Sequence, residues 1–333
     1  MLRISLLLSV LIGLSQQACD PAQCVLPDCR CYDDPNQPGG LETTQIPQII
    51  MVSFEGTISS ANLELYRGIF ADVTNPNGCP GRGTFFIEDE GTNYGSVRNL
   101  AMEGHEIGIQ SVNGISPNDS SGWIEAIRDV RAELDDLVDI NKVLGVRAPS
   151  IAMGGNDELI GIGLNNMLYD SSCSNVDYSD SGTFLWPYTF DNMPTVPCTN
   201  GDAPVDPFKG KWEVMIADLH DKNGDPCVVP SGCREVTTKR DAFELLFGAF
   251  DEHYSGKRTP FNLIIDPAWA ANENFNAGTV EFLQYVRASF GNEVWVVPIQ
   301  RALQWVQDPT PIADLDSFAP WQCNGDTTLR FKP

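Results

Sequence analysis

From Ile46 onward, short apolar runs alternate with amphipathic stretches, and this alternation constrains the fold more than any other feature. In residues 123–138 the apolar side chains recur at helical spacing, so one face of that helix packs on a core. Strands that alternate with helices of this length form a parallel sheet with crossover helices. The predicted strands are 49–54, 83–87, 106–109, 146–147, 166–169, 212–216, 261–265 and 294–298, and the predicted helices are 61–70, 93–103, 121–138, 156–164, 239–254, 279–290 and 301–306. The pattern does not separate a barrel from an open sheet.

The N-terminus predicts export. Met1-Leu2-Arg3 precedes an apolar run from Ile4 to Leu14 and then small and polar residues, which is typical of a signal peptide over residues 1–17. The run is shorter than the roughly 20 residues that span a bilayer. A buried N-terminal helix is the alternative. No later segment predicts a membrane span, so we expect a secreted, extracellular protein.

All ten cysteines follow the predicted signal peptide, and an even number in an exported chain predicts about five disulfides of open connectivity. Zinc binding is the alternative, but there is no paired Cys-x-x-Cys and only three histidines. Residues 18–45 are rich in Cys, Pro, Gly and Asp, and we predict a disulfide-stapled extension on the main domain, residues 46–333. A separate chitin-binding module would need about six cysteines and more aromatic residues. The cysteines are Cys19, Cys24, Cys29, Cys31, Cys79, Cys173, Cys198, Cys227, Cys233 and Cys323.

The charge excludes two classes of partner. The chain carries 45 Asp and Glu against 21 Lys and Arg, a net charge of −24. Binding to nucleic acid needs clustered basic residues, and docking on anionic lipid needs them too. We therefore expect no nucleic-acid or membrane partner, and a monomer kept soluble by its charge.

Five short motifs follow one another along the chain, and their order is informative: Ser53-Phe54-Glu55-Gly56, Gln110-Ser111-Val112-Asn113-Gly114, Arg147-Ala148-Pro149, Asp170-Ser171-Ser172 and Asp266-Pro267-Ala268-Trp269. Their order and spacing over about 270 residues resemble insect-type secreted chitin deacetylases, in the short gut-type form of this polysaccharide deacetylase family. The resemblance implies a distorted, incomplete (β/α) barrel of about seven strands. It also implies an acetamide hydrolase in which a zinc ion activates water, with an aspartate base and a histidine acid.

The resemblance fails at the residues of that chemistry. The family's base aspartate corresponds to Glu55 and its metal-binding aspartate to Gly56. The two histidine ligands correspond to Gln110 and Gly114, and the acid histidine to Asp266. Because zinc sites of this class need three protein ligands, we expect no zinc and no catalytic residues, so the protein is predicted to be a pseudoenzyme.

Other residues carry predictions of structure or binding. Arg147, which in the family orients the base, is predicted to form an ion pair with Glu55 or Asp266. His105, His220 and His253 are predicted to be structural or on the surface. Asn118 begins an Asn-Asp-Ser glycosylation site. Sugar rings stack on exposed aromatic faces, and the residues predicted to line a glycan groove are Trp186, Tyr188, Trp212, Trp269 and Asp170.

Three hypotheses follow from the sequence. The first is a secreted, non-catalytic protein that binds chitin or another N-acetylglucosamine polymer. The second is residual or altered deacetylation by a metal-free route through Glu55 and Asp266. The third is an acidic structural protein of an extracellular matrix, without affinity for glycans.

Overall fold

The computed structural model describes residues 19–174, 184–192 and 198–323. The predicted signal peptide, residues 1–17, lies outside them. The strands are β1 (Gln48–Gly56), β2 (Thr84–Glu88), β3 (Glu106–Ser111), β4 (Gly145–Val146), β5 (Met153–Gly154), β6 (Tyr169–Asp170), β7 (Tyr188–Thr189), β8 (Gly201–Asp202), β9 (Trp212–Glu213), β10 (Leu219–His220), β11 (Pro226–Cys227), β12 (Phe261–Ile265) and β13 (Val294–Val296).

One curled sheet organises the molecule. Eight strands follow the order β12–β1–β2–β3–β4–β6–β9–β7, and β13 also pairs with β1. Every pairing is parallel except that of β7 with β9. The two ends of this order, β12 and β7, are not paired with each other, so the sheet forms an incomplete (β/α) barrel. The predicted fold class is confirmed.

The helices are α1 (Ser60–Phe70), α2 (Tyr94–Met102), α3 (Ser120–Asp135), α4 (Gly155–Leu164), α5 (Lys239–Ser255), α6 (Pro267–Ala271), α7 (Glu273–Phe290) and α8 (Ile299–Gln307). The outward residues of β1, such as Val52 and Phe54, pack with Tyr66 of α1 in the larger core cluster. In α3 the buried positions are Trp123, Ile127, Val130 and Leu134, as the periodicity predicts.

The inner face of the sheet forms a second cluster, in which Met51 and Phe86 pack with Leu303 and Trp305 of α8. The same cluster holds Ile46 and Leu144, which precede β1 and β4. Helix α8 therefore closes the amino ends of the strands, and the carboxyl ends are left for a site.

The bounds of the long strands were predicted closely, whereas the short strands were predicted to be longer than they are. Residues 261–265 form β12 as predicted. The strand predicted for 166–169 contains only Tyr169, because Asn166 has φ 56° and lies in the turn that follows α4. The helix predicted for 279–290 begins six residues earlier, at Glu273, where Asn272 caps it.

Five disulfides use all ten cysteines. The pairs are Cys19–Cys31, Cys24–Cys29, Cys79–Cys323, Cys173–Cys198 and Cys227–Cys233. The first two staple the N-terminal extension. Cys19, Cys24 and Cys31 also bring three sulfur atoms together, but each sulfur is already bonded in a disulfide.

The extension lies on the barrel beside β7. The Arg30 N–H donates to Thr189 Oγ1 at 3.3 Å, and the Thr189 N–H donates to the Arg30 carbonyl at 2.9 Å. Trp186 Nε1 donates to Gln37 Oε1 at 3.0 Å. Over the ranges that the structure describes, no helix has the length and apolar character to cross a membrane.

Candidate functional site at the carboxyl ends of the strands

Parallel strands bring the motif residues to one end of the barrel. Glu55 and Gly56 end β1, Gln110 lies next to the end of β3, Arg147 follows β4, and Asp266 follows β12. Side chains alternate between the two faces of a strand. Glu55 thus shares the inner face with Met51 and Ser53. In (β/α) barrels the carboxyl ends of the strands are where active sites form.

Glu55 has an unusual environment. Its Oε2 is buried and has no hydrogen-bond partner in the described part of the chain. Burial raises the pKa of the Glu55 carboxyl; the charge of Arg147 opposes this rise and that of Asp266 adds to it. The site therefore holds two neighbouring carboxyl groups and one buried guanidinium.

Arg147 does not form the predicted ion pair. It is fully buried, and its guanidinium donates to the Ser171 carbonyl at 2.8 Å, to Ser53 Oγ at 2.9 Å and to Ser171 Oγ at 3.0 Å. It also lies over the ring of Phe86, 4.3 Å from the ring centre. The serine hydroxyls and the carbonyl use three N–H donors of the guanidinium, and Glu55 affects it only through its charge. The predicted ion pair with Glu55 or Asp266 was therefore wrong.

Asp266 is a helix cap. Its Oδ1 accepts the N–H groups of Ala268 at 2.9 Å and Trp269 at 3.0 Å, at the start of α6. Its Oδ2 accepts the Ser231 N–H at 3.4 Å. Three backbone N–H groups thus hold this carboxylate in a structural role.

The residues at the positions of the family's metal ligands do not fit a divalent cation. Gln110 offers an amide oxygen, Oε1, which has no partner among the described residues. Gly56 and Gly114 offer no side chain, and both have positive φ, 98° and 71°. A Cβ at Gly114 would lie 3.2 Å from Glu88 Oε2, so the space of a second ligand is taken by a carboxylate. A neutral amide and a displaced carboxylate do not replace three zinc ligands.

Behind the site lies a group of three carboxyls that the sequence did not predict: Glu158, Asp170 and Glu213, each fully buried. Asp170 accepts hydrogen bonds from Ser172 Oγ at 2.6 Å and from the Ser172 N–H at 3.0 Å. The carboxyls of Glu213 and Glu158 are close enough to Asp170 to affect its pKa, and Glu213 Oε2 and Glu158 Oε1 have no hydrogen-bond partner among the described residues.

Burial raises the pKa of all three carboxyls, and the charge of Asp170 adds to the rise at both glutamates. Neighbouring carboxylates repel one another, which favours their protonated forms, so the raised pKa values follow from burial and from this repulsion together. An acidic residue between the apolar Trp212 and Val214 was the one signal in the sequence. Asp170 was predicted to line the groove; its side chain instead lies inside this group.

The prediction that four aromatic residues present exposed faces in a glycan groove is wrong, because all four are buried. The exposed fractions are 5% for Trp186, 2% for Tyr188, 1% for Trp212 and 0% for Trp269. Trp186 packs on Trp305, and Trp212 joins the inner cluster. Trp269 donates to Thr279 Oγ1 at 2.9 Å. These large side chains fill the space between sheet and helices, where their apolar area is removed from water.

The remaining predictions concern single residues. His105 is buried and accepts the Gly83 N–H at 3.1 Å; His253 is buried, with its Nδ1 2.9 Å from Thr259 Oγ1. The structural role predicted for these two is confirmed. His220 lies in the β10–β11 hairpin, 3.8 Å from Glu252. Asn118 is exposed just ahead of α3, and its glycosylation stays a prediction.

Comparison with known proteins identifies the class. The fold is similar to that of a structure described as a probable polysaccharide deacetylase from Pseudomonas aeruginosa PAO1, with a TM-score of 0.58 and 13% identity over 83% of this chain and 96% of that one. No family model matches the chain.

Two curated proteins of Bombyx mori are similar in sequence. Chitin deacetylase 1 is 31% identical over 326 residues, which cover 91% of this chain and 59% of that protein. Chitin deacetylase 8 is 30% identical over 319 residues, which cover 92% of this chain and 81% of that protein. The chain therefore spans less than two thirds of the first relative and most of the second. It belongs to the polysaccharide deacetylase family, as a relative of insect chitin deacetylases.

Proposed function

We propose that this chain is a secreted, catalytically inactive member of its family that binds chitin or a related N-acetylglucosamine polymer at the carboxyl ends of the strands. The observation that carries the proposal is the set of side chains at the ligand positions. Gly56, Gln110 and Gly114 cannot supply the ligands of a catalytic zinc ion, so no metal is expected to bind. Without it, the family's route of metal-activated water for attack on an acetamide is not available to this chain.

Two acceptors at the site support binding. Glu55 Oε2 and Gln110 Oε1 are buried without donors in the described chain. Leaving a buried polar atom unpaired costs about 1–3 kcal/mol. An N-acetylglucosamine unit carries an amide N–H and hydroxyl groups, which are the donors these atoms lack. Because the four candidate aromatic residues are buried, this binding depends on hydrogen bonds and not on ring stacking.

Secretion fits the covalent structure. Five disulfides require an oxidising compartment, and the two relatives are named as chitin deacetylases. An extracellular monomer, glycosylated at Asn118, completes the proposal.

The metal-free hydrolase is the weaker candidate. It needs Asp266 as a mobile acid beside Glu55, but three backbone N–H groups hold Asp266 as a cap. An acidic matrix protein without glycan affinity remains as an outcome of the binding test.

The test is retention of the full mature chain on colloidal chitin, with N-acetylglucosamine oligomers as competitor. We expect retention that the oligomers compete, and a loss of about tenfold in affinity for Gln110→Leu, which corresponds to about 1.4 kcal/mol. Gln23→Leu, on the exposed part of the extension, is the matched control. Absence of retention would favour the matrix protein.

Catalysis is tested separately by acetate release from chitin oligomers. We expect none, with or without added zinc. Release that disappears in Glu55→Gln would overturn the proposed inactivity and support the metal-free route.

A further inference from the structure

A cavity lies at the end of the barrel opposite to the candidate functional site. It has a volume of about 330 Å³ and is lined by the start of β3, by the segment around Val138–Val143 and by the start of α8. Glu106, in its lining, is the first residue of β3, whereas Gln110 lies near the end of that strand. With a rise of about 3.3 Å per residue, the two ends of β3 are roughly 17 Å apart. The cavity is therefore separate from the site at the carboxyl ends.

The cations of this cavity are unusual for so acidic a protein. Arg301 forms no ion pair with a carboxylate of the described residues, although the charge of Glu106 attracts it, and within those residues its guanidinium donates only to the Gln322 carbonyl, at 3.4 Å. Burial lowers the pKa of the Arg301 guanidinium, and the positive charge of the nearby Arg82 lowers it further. Lys142 adds an ammonium group to the lining, and its Nζ lies 3.6 Å from a carboxylate oxygen of the exposed Asp139.

Two neutral donors add to these charges. Gln300 is 4% exposed, and its Nε2 has no acceptor within the described ranges. His105 accepts the Gly83 N–H at Nδ1, so its Nε2 carries the hydrogen in the neutral ring. Burial lowers the pKa of His105 to about 3, which keeps the ring neutral. Both residues belong to the lining.

The carboxyl groups of the lining do not use these donors. Glu106 accepts from Tyr169 Oη at 2.6 Å, Thr84 Oγ1 at 2.8 Å and the Gln300 N–H at 2.9 Å, so its two oxygens are already satisfied. Asp139 Oδ1 accepts from the Asn141 N–H at 3.2 Å, while its Oδ2 faces Lys142. The unused groups are donors, and the rest of the wall is apolar: Ala101, Ile107, Val138, Val143 and Pro298.

The geometry points to a binding site for a small organic carboxylate with a compact apolar body. The carboxylate accepts from Arg301 and Gln300, and a planar guanidinium suits that head group. The apolar body lies on Ile107, Val138 and Val143. A ligand pocket of this kind, apolar with a few convergent polar groups, is typical of small-molecule sites. The chemistry of the family's known site plays no part in it.

The experiment is calorimetric titration of the full mature protein with acetate, butyrate and hexanoate, and with hexanamide as the neutral isostere. We expect saturable binding that strengthens from acetate to hexanoate and is absent for hexanamide. Arg301→Gln should weaken hexanoate binding at least tenfold. Arg240→Gln, an exposed arginine on α5, is the matched control and should leave it unchanged.

A steric variant protects the test against misfolding. Ala101→Phe leaves all charges in place, fills the apolar wall and should abolish hexanoate binding, and near-UV circular dichroism checks that both variants are folded. The inference is overturned if no carboxylate binds, if hexanamide binds as tightly as hexanoate, or if folded Arg301→Gln binds like the parent. Equal binding of inorganic phosphate would also overturn it, because a simple anion site needs no apolar body.

Discussion

The two ends of the barrel each hold an arginine, and the environments of these two arginines differ. At the carboxyl ends, Arg147 is fully buried, has three hydrogen bonds and lies among the charges of Glu55, Asp170 and Glu213. At the amino ends, Arg301 is half-buried, has one long hydrogen bond and borders a cavity. Arg147 is thus part of the framework at one end, whereas Arg301 is available to a ligand at the other. Four predictions test this comparison, from the largest expected effect to the smallest.

The largest effect is expected at Arg147. Arg147→Met removes a buried cation from among several buried carboxyl groups and leaves Ser53 and the Ser171 carbonyl without this donor. Breaking a buried charged network in this way costs about 3–5 kcal/mol. Urea denaturation measures it, with the exposed Arg240→Met as control. A loss below about 1 kcal/mol would show that the carboxyl groups do not depend on this cation.

The second effect is a loss of stability as the pH rises. Glu158 and Glu213 have folded pKa values raised above the unfolded ones, so the folded state holds extra protons. This contribution is complete below the unfolded pKa of about 4.5 and is lost as pH rises through the folded pKa values. The free energy of unfolding should therefore fall as the pH rises from about 4.5 up to the folded pKa values.

The two buried histidines allow this effect to be separated. Their pKa values are lowered to about 3 for His105 and about 4 for His253, so they destabilise the fold only below about pH 6.5, where the unfolded rings gain protons. Above that pH these two histidines no longer contribute, and the Glu213→Gln variant isolates the share of one carboxyl. Glu213→Gln should reduce the slope of this fall by up to about 1.4 kcal/mol per pH unit, the value for one proton. An unchanged slope would contradict the assignment.

The third effect concerns restoration of the metal site. Gly56→Asp, Gln110→His and Gly114→His together return the family's ligands, but a side chain at Gly114 meets Glu88 and requires φ 71°. We expect weak zinc binding in this triple variant and binding at least tenfold tighter when Glu88→Ala is added. Calorimetry with zinc measures both, and Glu88→Ala alone is the control. Equal affinity with and without Glu88 would show that this carboxylate is no obstacle.

The smallest effect is expected at Arg301. Because its guanidinium has one long hydrogen bond and no carboxylate partner in the described structure, Arg301→Gln should change the free energy of unfolding by no more than about 0.5 kcal/mol. Urea denaturation beside Arg147→Met makes the comparison direct. A large loss at Arg301 would mean that it, too, belongs to the framework.

The fold was largely readable from the sequence because periodicity records which face of each element is buried. Residues 261–265 and the helix beginning at Ser120 follow directly from their apolar spacing. The site was readable only in part. Gly56 and Gly114 are informative as missing ligands, whereas the capping role of Asp266 was missed, although an Asp followed by Pro is typical of a helix start.

By itself, the sequence determined the alternation of strands and helices, an even set of cysteines and the exchange of ligand residues at fixed motif positions. These are local properties, since period and residue type are properties of the chain. The tertiary structure decided which cysteines pair, that Trp212 and Trp269 are buried, that Arg147 binds serines, and that Glu158, Asp170 and Glu213 meet. Apart from disulfides between nearby cysteines such as Cys24–Cys29, these features depend on residues far apart in the chain, which the tertiary fold brings within contact distance.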